Sequence, residues 1–296
     1  MNYYTEIKQE LINNEITKRV KDYSKNKSDL TTYYNVGKLL AEAGKHYGEG
    51  IIKEYSKKLT YELGKGYSER NLRNFRQFYI LASKWQTPSA KLTWSHYCEL
   101  LWFDTAKIEY YVYICENNNL SVRQLREKIK NKEYERLDDS TKLKLQNQEK
   151  IKITDFIKNP ITIRNITNEI EITEKILKKL ILEQLDNFLQ ELGNDFCYRG
   201  NEYRIKIGDR YNYIDLLLYN IKYKCYVVIE LKVTELKKEH IGQIEVYMNY
   251  IDNNLKTIQE DKTIGIIICK KDNHFIMEYC SDPRILSREY LLETYK

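Results

Sequence analysis

Residues 213–232 of the chain read YIDLLLYNIKYKCYVVIELK. The two apolar segments of this stretch predict adjacent strands joined by a short connection. Side chains alternate between the faces of a strand, so Glu230 and Lys232 point the same way. Asp215 heads the preceding strand, and we expect the three charged groups to meet at one spot on a buried sheet.

Carboxylates on neighbouring strands suit a hard divalent cation, and a lysine beside them suits the negative charge of a reacting phosphate or water. The alternative interpretation of Asp215, Glu230 and Lys232 is a structural salt bridge at a sheet edge. Buried ion pairs contribute little net stability, and Gln243 on the following predicted helix adds a fourth polar group that a salt bridge does not explain. An active site is therefore the favoured interpretation.

The chain has 296 residues, enough for two ordinary domains, and its 42% hydrophobic and 31% charged content is typical of a soluble globular protein. No apolar run approaches the roughly 20 residues of a membrane helix. The first residues do not resemble a secretory signal, so we predict a cytoplasmic protein without a membrane partner. The six cysteines and four histidines are scattered, which disfavours a zinc site or a disulfide framework.

The net charge of +6 is unevenly distributed. Residues 1–150 carry 27 basic and 20 acidic side chains, whereas residues 151–296 carry 22 and 23. Within the first half, residues 51–100 hold 9 basic and 4 acidic side chains. Such focused positive charge is typical of a surface that contacts phosphates, although solvated helix faces produce similar local excesses.

Helical periodicity dominates the first half, and alternating apolar runs dominate the second. We predict a helical domain over residues 1–147 and an α/β domain over residues 148–296, with a polar connector near the boundary. The predicted elements of the second domain are helices over 172–192 and 241–251 and strands over 196–199, 203–207, 213–219, 225–232 and 263–269.

In the first domain we predict helices over residues 31–46 and 51–63, a glycine-containing turn, and a third helix that begins after Ser68. Two helices, a turn and a basic third helix match a helix-turn-helix arrangement. A plain helical bundle with a solvated basic face is the alternative. The candidate DNA-binding residues on the third helix are Arg70, Arg73, Asn74 and Arg76.

Ile214-Asp215 and Glu230-Leu231-Lys232 resemble the PD-(D/E)XK nuclease motif, with Ile214 in place of its usual proline. The Gln-x-x-x-Tyr pattern from Gln243 resembles an element of the RecB-like branch of that superfamily. Across nearly the whole chain, the sequence resembles the bacterial YhcG family of predicted nucleases. The stretches that carry this resemblance are 68–72, 78–79, 92–96, 188–193, 213–217, 228–232 and 242–243.

The resemblance implies a winged-helix-like DNA-binding domain followed by a restriction-endonuclease-like α/β sandwich. It also implies a metal-dependent DNA endonuclease that hydrolyses phosphodiester bonds in defence, restriction or DNA processing. Asp215, Glu230 and the main-chain carbonyl of Leu231 would hold Mg²⁺ or Mn²⁺. Lys232 would orient the attacking water or stabilise negative charge, and Gln243 would position substrate or the lysine.

Many superfamily members add a carboxylate from a helix, and we expect Glu191 in that role, with Glu174 as the alternative. The competing function is a DNA-binding or regulatory protein whose nuclease-like domain is inactive. The sequence does not tell whether the substrate is DNA or RNA, or which structure the nucleic acid has. A homodimer and partners from restriction or defence systems are both compatible with it.

Overall fold

The computed structural model of the chain describes residues 3–20, 25–83, 91–147, 149–193 and 195–294. None of the helices within these ranges combines the length and the apolar character that crossing a membrane requires.

The chain divides into two compact units, residues 1–134 and 135–296. The sequence places the boundary later, between residues 147 and 148, and residue 148 lies outside the described residues. Part of the expected connector is the helix Asp139–Gln146, which belongs to the second unit.

The first unit is helical. The part of it that the structure describes contains no β-strand, and so shows no strands of a wing. A 3₁₀ turn at Lys65–Tyr67 separates its third and fourth helices. The helices are α1 (Tyr3–Val20), α2 (Lys25–Tyr47), α3 (Ile51–Leu63), α4 (Glu69–Ala82), α5 (Trp94–Leu100), α6 (Thr105–Asn118) and α7 (Val122–Lys130).

Local signals in the sequence set several helix ends of this unit. Gly64 ends α3 with a left-handed φ of 101°, a conformation that glycine adopts without steric strain. The hydroxyl of Ser68 accepts a hydrogen bond from the amide of Asn71 and so begins α4. Ser121 and Gln124 form a capping box at the start of α7. The predicted helix after Ser68 is confirmed.

Gly37 of α2 lies where α2 crosses α4. A Cβ at this position would lie 2.1 Å from the carbonyl oxygen of Phe75 and 2.9 Å from the Cβ of Tyr79. Both contacts are with atoms fixed to the α4 backbone, so the two helices could accept a side chain only by separating.

Replacing Gly37 by alanine is therefore expected to lower the free energy of unfolding by about 1–3 kcal/mol, the usual effect of overpacking a core. Gly44→Ala is the control in the same helix, because its Cβ would make only ordinary contacts of 3.5 Å or more. Alanine favours a helix over glycine by about 1 kcal/mol, so the control should be neutral or stabilising. Urea denaturation measures both variants, and equal stabilities would contradict this close crossing.

The second unit is a six-stranded mixed sheet with helices on both faces. The strand order is β1-β6-β5-β4-β3-β2. The pairs β2–β3 and β3–β4 are antiparallel, and the remaining pairs are parallel. The strands are β1 (Ile161–Asn165), β2 (Phe196–Ile207), β3 (Arg210–Asn220), β4 (Cys225–Glu235), β5 (Asp261–Lys271) and β6 (Ile285–Thr294), and the helices are α8 (Asp139–Gln146), α9 (Glu174–Glu183), α10 (Leu185–Leu192), α11 (Lys238–Asn254) and α12 (His274–Glu278).

Two apolar clusters cover the two faces of this sheet. Helices α9 and α10 pack on one face, where Leu180 and Phe188 meet Val227 of β4. Helix α11 packs on the other face, where Met248 meets Val228. The expected order of a helical region followed by a mixed α/β sheet is confirmed.

The single helix predicted over residues 172–192 is wrong, because the chain breaks at Gln184 into α9 and α10. Gln184 has φ −131° and ψ 44°, outside the helical region. Its side-chain amide donates a hydrogen bond of 3.0 Å to the carbonyl of Arg164 in β1. The apolar periodicity continues across the break and conceals it.

The separate strands predicted over residues 196–199 and 203–207 are also wrong, because both belong to β2. The polar residues between them form an irregular part of the strand and not a turn. The pairing of β2 with β3 shifts register between Tyr198 and Gly200, and Glu202 adopts a left-handed φ of 45°.

Candidate active site

The end of the β3–β4 ladder positions Asp215. Paired residues of these strands run as far as Leu216 and Ile229. Beyond them, the amide of Leu231 donates a hydrogen bond of 2.9 Å to Asp215 Oδ2. The carboxylate thus supplies the acceptor for this amide beyond the last paired residues of β3 and β4, and it is fixed against β4.

The alternation of β3 changes at Asp215. Ile214 packs in the cluster beneath α11, whereas Leu216 packs in the cluster beneath α9 and α10. Residues two apart in a regular strand share a face, so the strand turns between them. The β2–β3 ladder pairs the residues on either side of Glu202 and Asp215 but omits these two, so the pairing of the two strands is irregular at this point.

Glu230 is almost fully buried, with 3% of its surface exposed. Its Oε1 accepts a hydrogen bond of 2.9 Å from the ammonium of Lys232. Its Oε2 is buried and has no hydrogen-bond partner among the described residues. Burial, together with the neighbouring charge of Asp215, raises the pKa of Glu230 to about 7, and Lys232 offsets only part of this effect.

Lys232 lies between two carboxylates. Its Nζ is 2.9 Å from Glu230 and 3.8 Å from Oε1 of Glu174 on α9. Burial opposes its ionisation, but the charges of Glu230, Glu174 and Asp215 outweigh burial and hold the pKa of Lys232 above its ordinary value. The side chain is therefore an ammonium ion at neutral pH, a donor and a positive charge but not a base.

Lys178 of α9 is a member of this cluster that the sequence interpretation missed. Its ammonium is 2.8 Å from Asp215 Oδ1 and 2.9 Å from Oε1 of Glu202, and its side chain is only 14% exposed. Its position one helical turn after Glu174 was a usable signal, because residues four apart on a helix share a face. The ion pairs bring α9, β2 and β3 together at one point.

The two candidate helix carboxylates lie in different surroundings. Glu191 of α10 forms a buried ion pair with Arg136 and accepts a hydrogen bond from the amide of Thr162 at 2.8 Å. Burial opposes its ionisation, but these partners and Lys158 hold the pKa of Glu191 below its ordinary value. The structure thus ties Glu191 to Arg136 and β1, and places Glu174 beside Lys232.

Gln243 and Leu231 occupy the elements expected for them. Gln243 lies on α11, where its amide donates a hydrogen bond of 3.0 Å to the hydroxyl of Tyr247. Leu231 is fully buried in β4. Because the N–H and C=O of a strand residue point to the same side, the Leu231 carbonyl faces the gap in which Asp215 holds its amide.

The candidate DNA-binding side chains of α4 differ in their surroundings. Arg70 is exposed. Arg73 pairs with Glu69 of the same helix, and Arg76 pairs with Glu49, each at 2.8 Å. Asn74 is only 5% exposed and lies against the sulfur of Cys98, so of the four candidates it is the one whose side chain is buried.

The residues at the end of β3 and β4 fit a divalent cation. The buried Oε2 of Glu230 needs a partner that Lys232 does not supply, and a cation between Glu230 and Asp215 would relieve the repulsion that raises the pKa of Glu230. Oxygen donors are the ligands that Mg²⁺ and Mn²⁺ prefer. Within the described ranges, no group of three or more His, Cys, Asp and Glu side chains forms a metal site.

The sequence matches two domain families. Residues 154–294 match the YhcG PDDEXK nuclease domain, and residues 7–136 match the DUF1016 N-terminal domain. A curated relative from Escherichia coli (strain K12), "Putative nuclease YhcG", is 27% identical over 311 residues, covering 88% of this chain and 83% of that protein.

Two solved structures show distant likeness. A repair endonuclease from Pyrococcus abyssi has 17% identity and a TM-score of 0.30, covering 41% of this chain and 48% of its own. An EndoMS-dsDNA2 complex has 18% identity and a TM-score of 0.32, covering 41% of this chain and 46% of its own. The match thus spans less than half the length of each solved chain.

Proposed function

We propose that this chain, in which a DUF1016 N-terminal domain precedes a YhcG PDDEXK nuclease domain, is a metal-dependent endonuclease that hydrolyses phosphodiester bonds in DNA. The observation that carries the proposal is the buried, unpartnered Oε2 of Glu230 beside Asp215 and Lys232. A purely structural ion pair does not account for this oxygen, because leaving a carboxylate oxygen unpaired in the interior is destabilising.

Asp215 and Glu230 would hold Mg²⁺ or Mn²⁺, with the Leu231 carbonyl as a third oxygen donor. A bound divalent cation would polarise the scissile phosphate and lower the pKa of the attacking water. The hydrogen bond from the Leu231 amide to Asp215 keeps one carboxylate oxygen oriented, which limits the reorganisation that binding requires.

Lys232 would supply a fixed positive charge to the phosphate as negative charge develops on its oxygens. Its ammonium is held between Glu230 and Glu174, so its position is set before substrate arrives. We propose Glu174, and not Glu191, as the helix carboxylate of the site. A Glu191→Gln enzyme that loses cleavage while it keeps its fold, with Glu174→Gln fully active, would reverse this assignment.

In the metal-free protein, the ammonium of Lys178 would neutralise the charge of Asp215 in place of a metal ion. Its ammonium lies 2.8 Å from Asp215 Oδ1, an oxygen that a metal ion would otherwise approach. When Asp215 binds metal, Glu202 offers Lys178 a partner that it already contacts.

Replacing Lys178 by methionine is therefore expected to tighten Mn²⁺ binding about 10-fold, the lower end of what one neighbouring opposite charge does to a carboxylate. Isothermal titration of the DNA-free protein measures the affinity. Lys179→Met is the matched control, because Lys179 is exposed and faces Glu183 across 3.8 Å. Equal affinities of the two variants would show that Lys178 does not compete with metal.

The function is tested directly by incubating the purified chain with supercoiled plasmid, circular single-stranded DNA, branched DNA and RNA of matched length. Cleavage of DNA in Mg²⁺ or Mn²⁺ but not in a chelator is expected. The ratio of nicked to linear plasmid shows whether one strand or both are cut. DNA binding without cleavage of any substrate in either metal would favour the alternative function, a regulatory protein with an inactive nuclease-like domain.

The first unit is proposed to hold DNA through a helix-turn-helix-like arrangement of α2, α3 and α4. Its support is the basic surface of α4, on which Arg70 is exposed and Arg73 and Arg76 each pair with a single carboxylate. Surface ion pairs of this kind are worth about 0–1 kcal/mol, so phosphates can displace the carboxylates.

Changing Arg70, Arg73 and Arg76 together to alanine is expected to weaken DNA binding and to reduce its salt dependence, because up to three phosphate contacts are lost. Fluorescence anisotropy at several salt concentrations measures both quantities. Lys130→Ala is the control, because Lys130 is an exposed cation of α7, outside these three helices, and it should leave both quantities unchanged. Unchanged affinity of the triple variant would remove α4 from the DNA-binding surface.

A further inference from the structure

The hairpin of β2 and β3 leads directly into Asp215 and carries an unusual exposed surface. Arg204 pairs across the strands with Tyr213, and Lys206 pairs with Tyr211. Cross-strand partners share a face of the sheet, and so do residues two apart on a strand. These four side chains therefore form one surface, called the hairpin face below.

The opposite side of the hairpin is anchored in the protein. Ile205 and Ile214 are buried in the cluster beneath α11. The hairpin face is open to solvent, with Tyr211 55% and Tyr213 53% exposed. Exposed tyrosine rings on a well-anchored hairpin lose little conformational freedom when a ligand covers them, which makes them efficient contact residues.

The positive charges of the hairpin face are available to a ligand. Within the described residues, neither Arg204 nor Lys206 forms an ion pair with a carboxylate. The guanidinium of Arg204 lies 4.9 Å from the centroid of the Tyr211 ring, an attractive cation–π contact that leaves its charge uncompensated. Asp209 at the turn is the one acidic side chain between residues 203 and 214.

The hairpin face lies at a useful distance from the candidate active site. Strand residues rise about 3.3 Å each, so Tyr213 and Tyr211 lie roughly 7 and 13 Å from Asp215 along β3. A nucleic acid whose phosphate reaches Asp215 would have its next nucleotides over these rings. The alternation of cations and aromatic rings is the pattern of surfaces that track a single strand.

We propose that the hairpin face binds the unpaired nucleotides next to the scissile phosphate, with Arg204 and Lys206 on the backbone and Tyr211 and Tyr213 stacked on bases. Bases in a continuous duplex are covered by their neighbours and offer no free ring face, whereas unpaired bases do. The preferred substrate is therefore DNA that is single-stranded at the cut, such as a flap, a gap or a branch. This inference rests on the proposed nuclease function.

The test uses the full chain in a chelator, so that binding is measured without cleavage. The probes are a fluorescein-labelled 20-nucleotide oligothymidine and a 20-base-pair duplex. Tyr211→Ala/Tyr213→Ala is expected to weaken binding of the single strand at least about 10-fold, since stacking contributes substantially per base, and to change duplex binding less than about twofold. Tyr279→Ala, another exposed tyrosine of the second unit, should leave both affinities unchanged.

Arg204→Ala/Lys206→Ala is expected to weaken single-strand binding and to reduce its salt dependence, as the loss of two phosphate contacts predicts. All variants replace exposed side chains, and thermal melting verifies that each is folded. Unchanged single-strand binding of both double variants would overturn the proposal, as would an equal loss for the duplex in the tyrosine variant. Cleavage plays no part in this measurement. If the protein cleaves no substrate but its variants show the expected losses of binding, the nuclease function is refuted and single-strand binding by the hairpin face is supported.

Discussion

Replacing Lys232 by methionine is expected to lower the rate of metal-dependent DNA cleavage about 100-fold or more, the typical effect of removing one group that stabilises transition-state charge. Methionine keeps an unbranched side chain that is one atom shorter than that of lysine, and it removes the charge. Asp215 and Glu230 remain in place, so the variant should still bind Mn²⁺. Single-turnover cleavage and calorimetric Mn²⁺ titration separate the two effects.

Lys270→Met is the control for this prediction, because Lys270 is an exposed lysine of the same sheet. Its cleavage rate should equal that of the wild type. A Lys232→Met enzyme that cleaves at the control rate would show that the ammonium between Glu230 and Glu174 takes no part in the reaction.

Replacing Glu230 by glutamine is expected to abolish cleavage and metal binding, and yet to leave the metal-free protein at least as stable as the wild type at pH 8. Glu230 is buried near Asp215, and one of its oxygens has no partner in the described part of the chain. Neutralising it removes an ion that the metal-free interior accommodates poorly. Mg²⁺ should raise the melting temperature of the wild type and not that of the variant.

This prediction includes a dependence on pH that can be measured in a chelator. The folded state raises the pKa of Glu230 from 4.5 to about 7, so folding favours the protonated carboxyl. That contribution is complete below pH 4.5 and is lost as the pH rises through 7. Relative to Glu230→Gln, the wild type should lose on the order of 3 kcal/mol of unfolding free energy between pH 4.5 and 8. If the unfolding free energies of the two proteins changed with pH in parallel, the raised pKa of Glu230 would be contradicted.

Strand alternation was enough to predict that Glu230 and Lys232 share a face, because the period of two is a property of the backbone. The ammonium of Lys232 lies 2.9 Å from Glu230 in the structure. The spacing of Lys178 and Glu174 puts both on one face of α9, but it does not predict that Lys178 contacts Asp215. Its ion pair with Asp215 joins residues 37 positions apart, and only the packing of α9 against the sheet brings them together.

The proposal of Glu174 rather than Glu191 rests on a structural feature that the apolar periodicity of the sequence does not reveal. A single helix from residue 172 to 192 would put both carboxylates on one rigid element. The break at Gln184 makes α9 and α10 separate helices. Glu191, on α10, pairs with Arg136. The hydrogen bond of Gln184 to the carbonyl of Arg164 depends on the tertiary structure, so the sequence pattern of the helix does not reveal it.

A helical wheel of α4 separates its apolar side chains from its arginines, but it does not give the partners of either set. Leu72, Phe75 and Phe78 are buried in the structure. Asn74 is buried beside them, because packing against α5 extends the buried arc beyond the apolar residues. Burial of a polar side chain depends on neighbours that a single-helix projection leaves out.

Above all, we propose that Asp215, Glu230 and Lys232 form a metal-dependent phosphodiesterase site. The most direct measurement compares the wild type with Asp215→Asn in cleaving circular single-stranded DNA and supercoiled plasmid, in Mg²⁺, Mn²⁺ and a chelator. We expect cleavage by the wild type in metal only, and at least a 100-fold loss in a folded Asp215→Asn variant. Cleavage by this variant at the wild-type rate would contradict the claim, as would a wild-type protein inactive on both substrates in both metals.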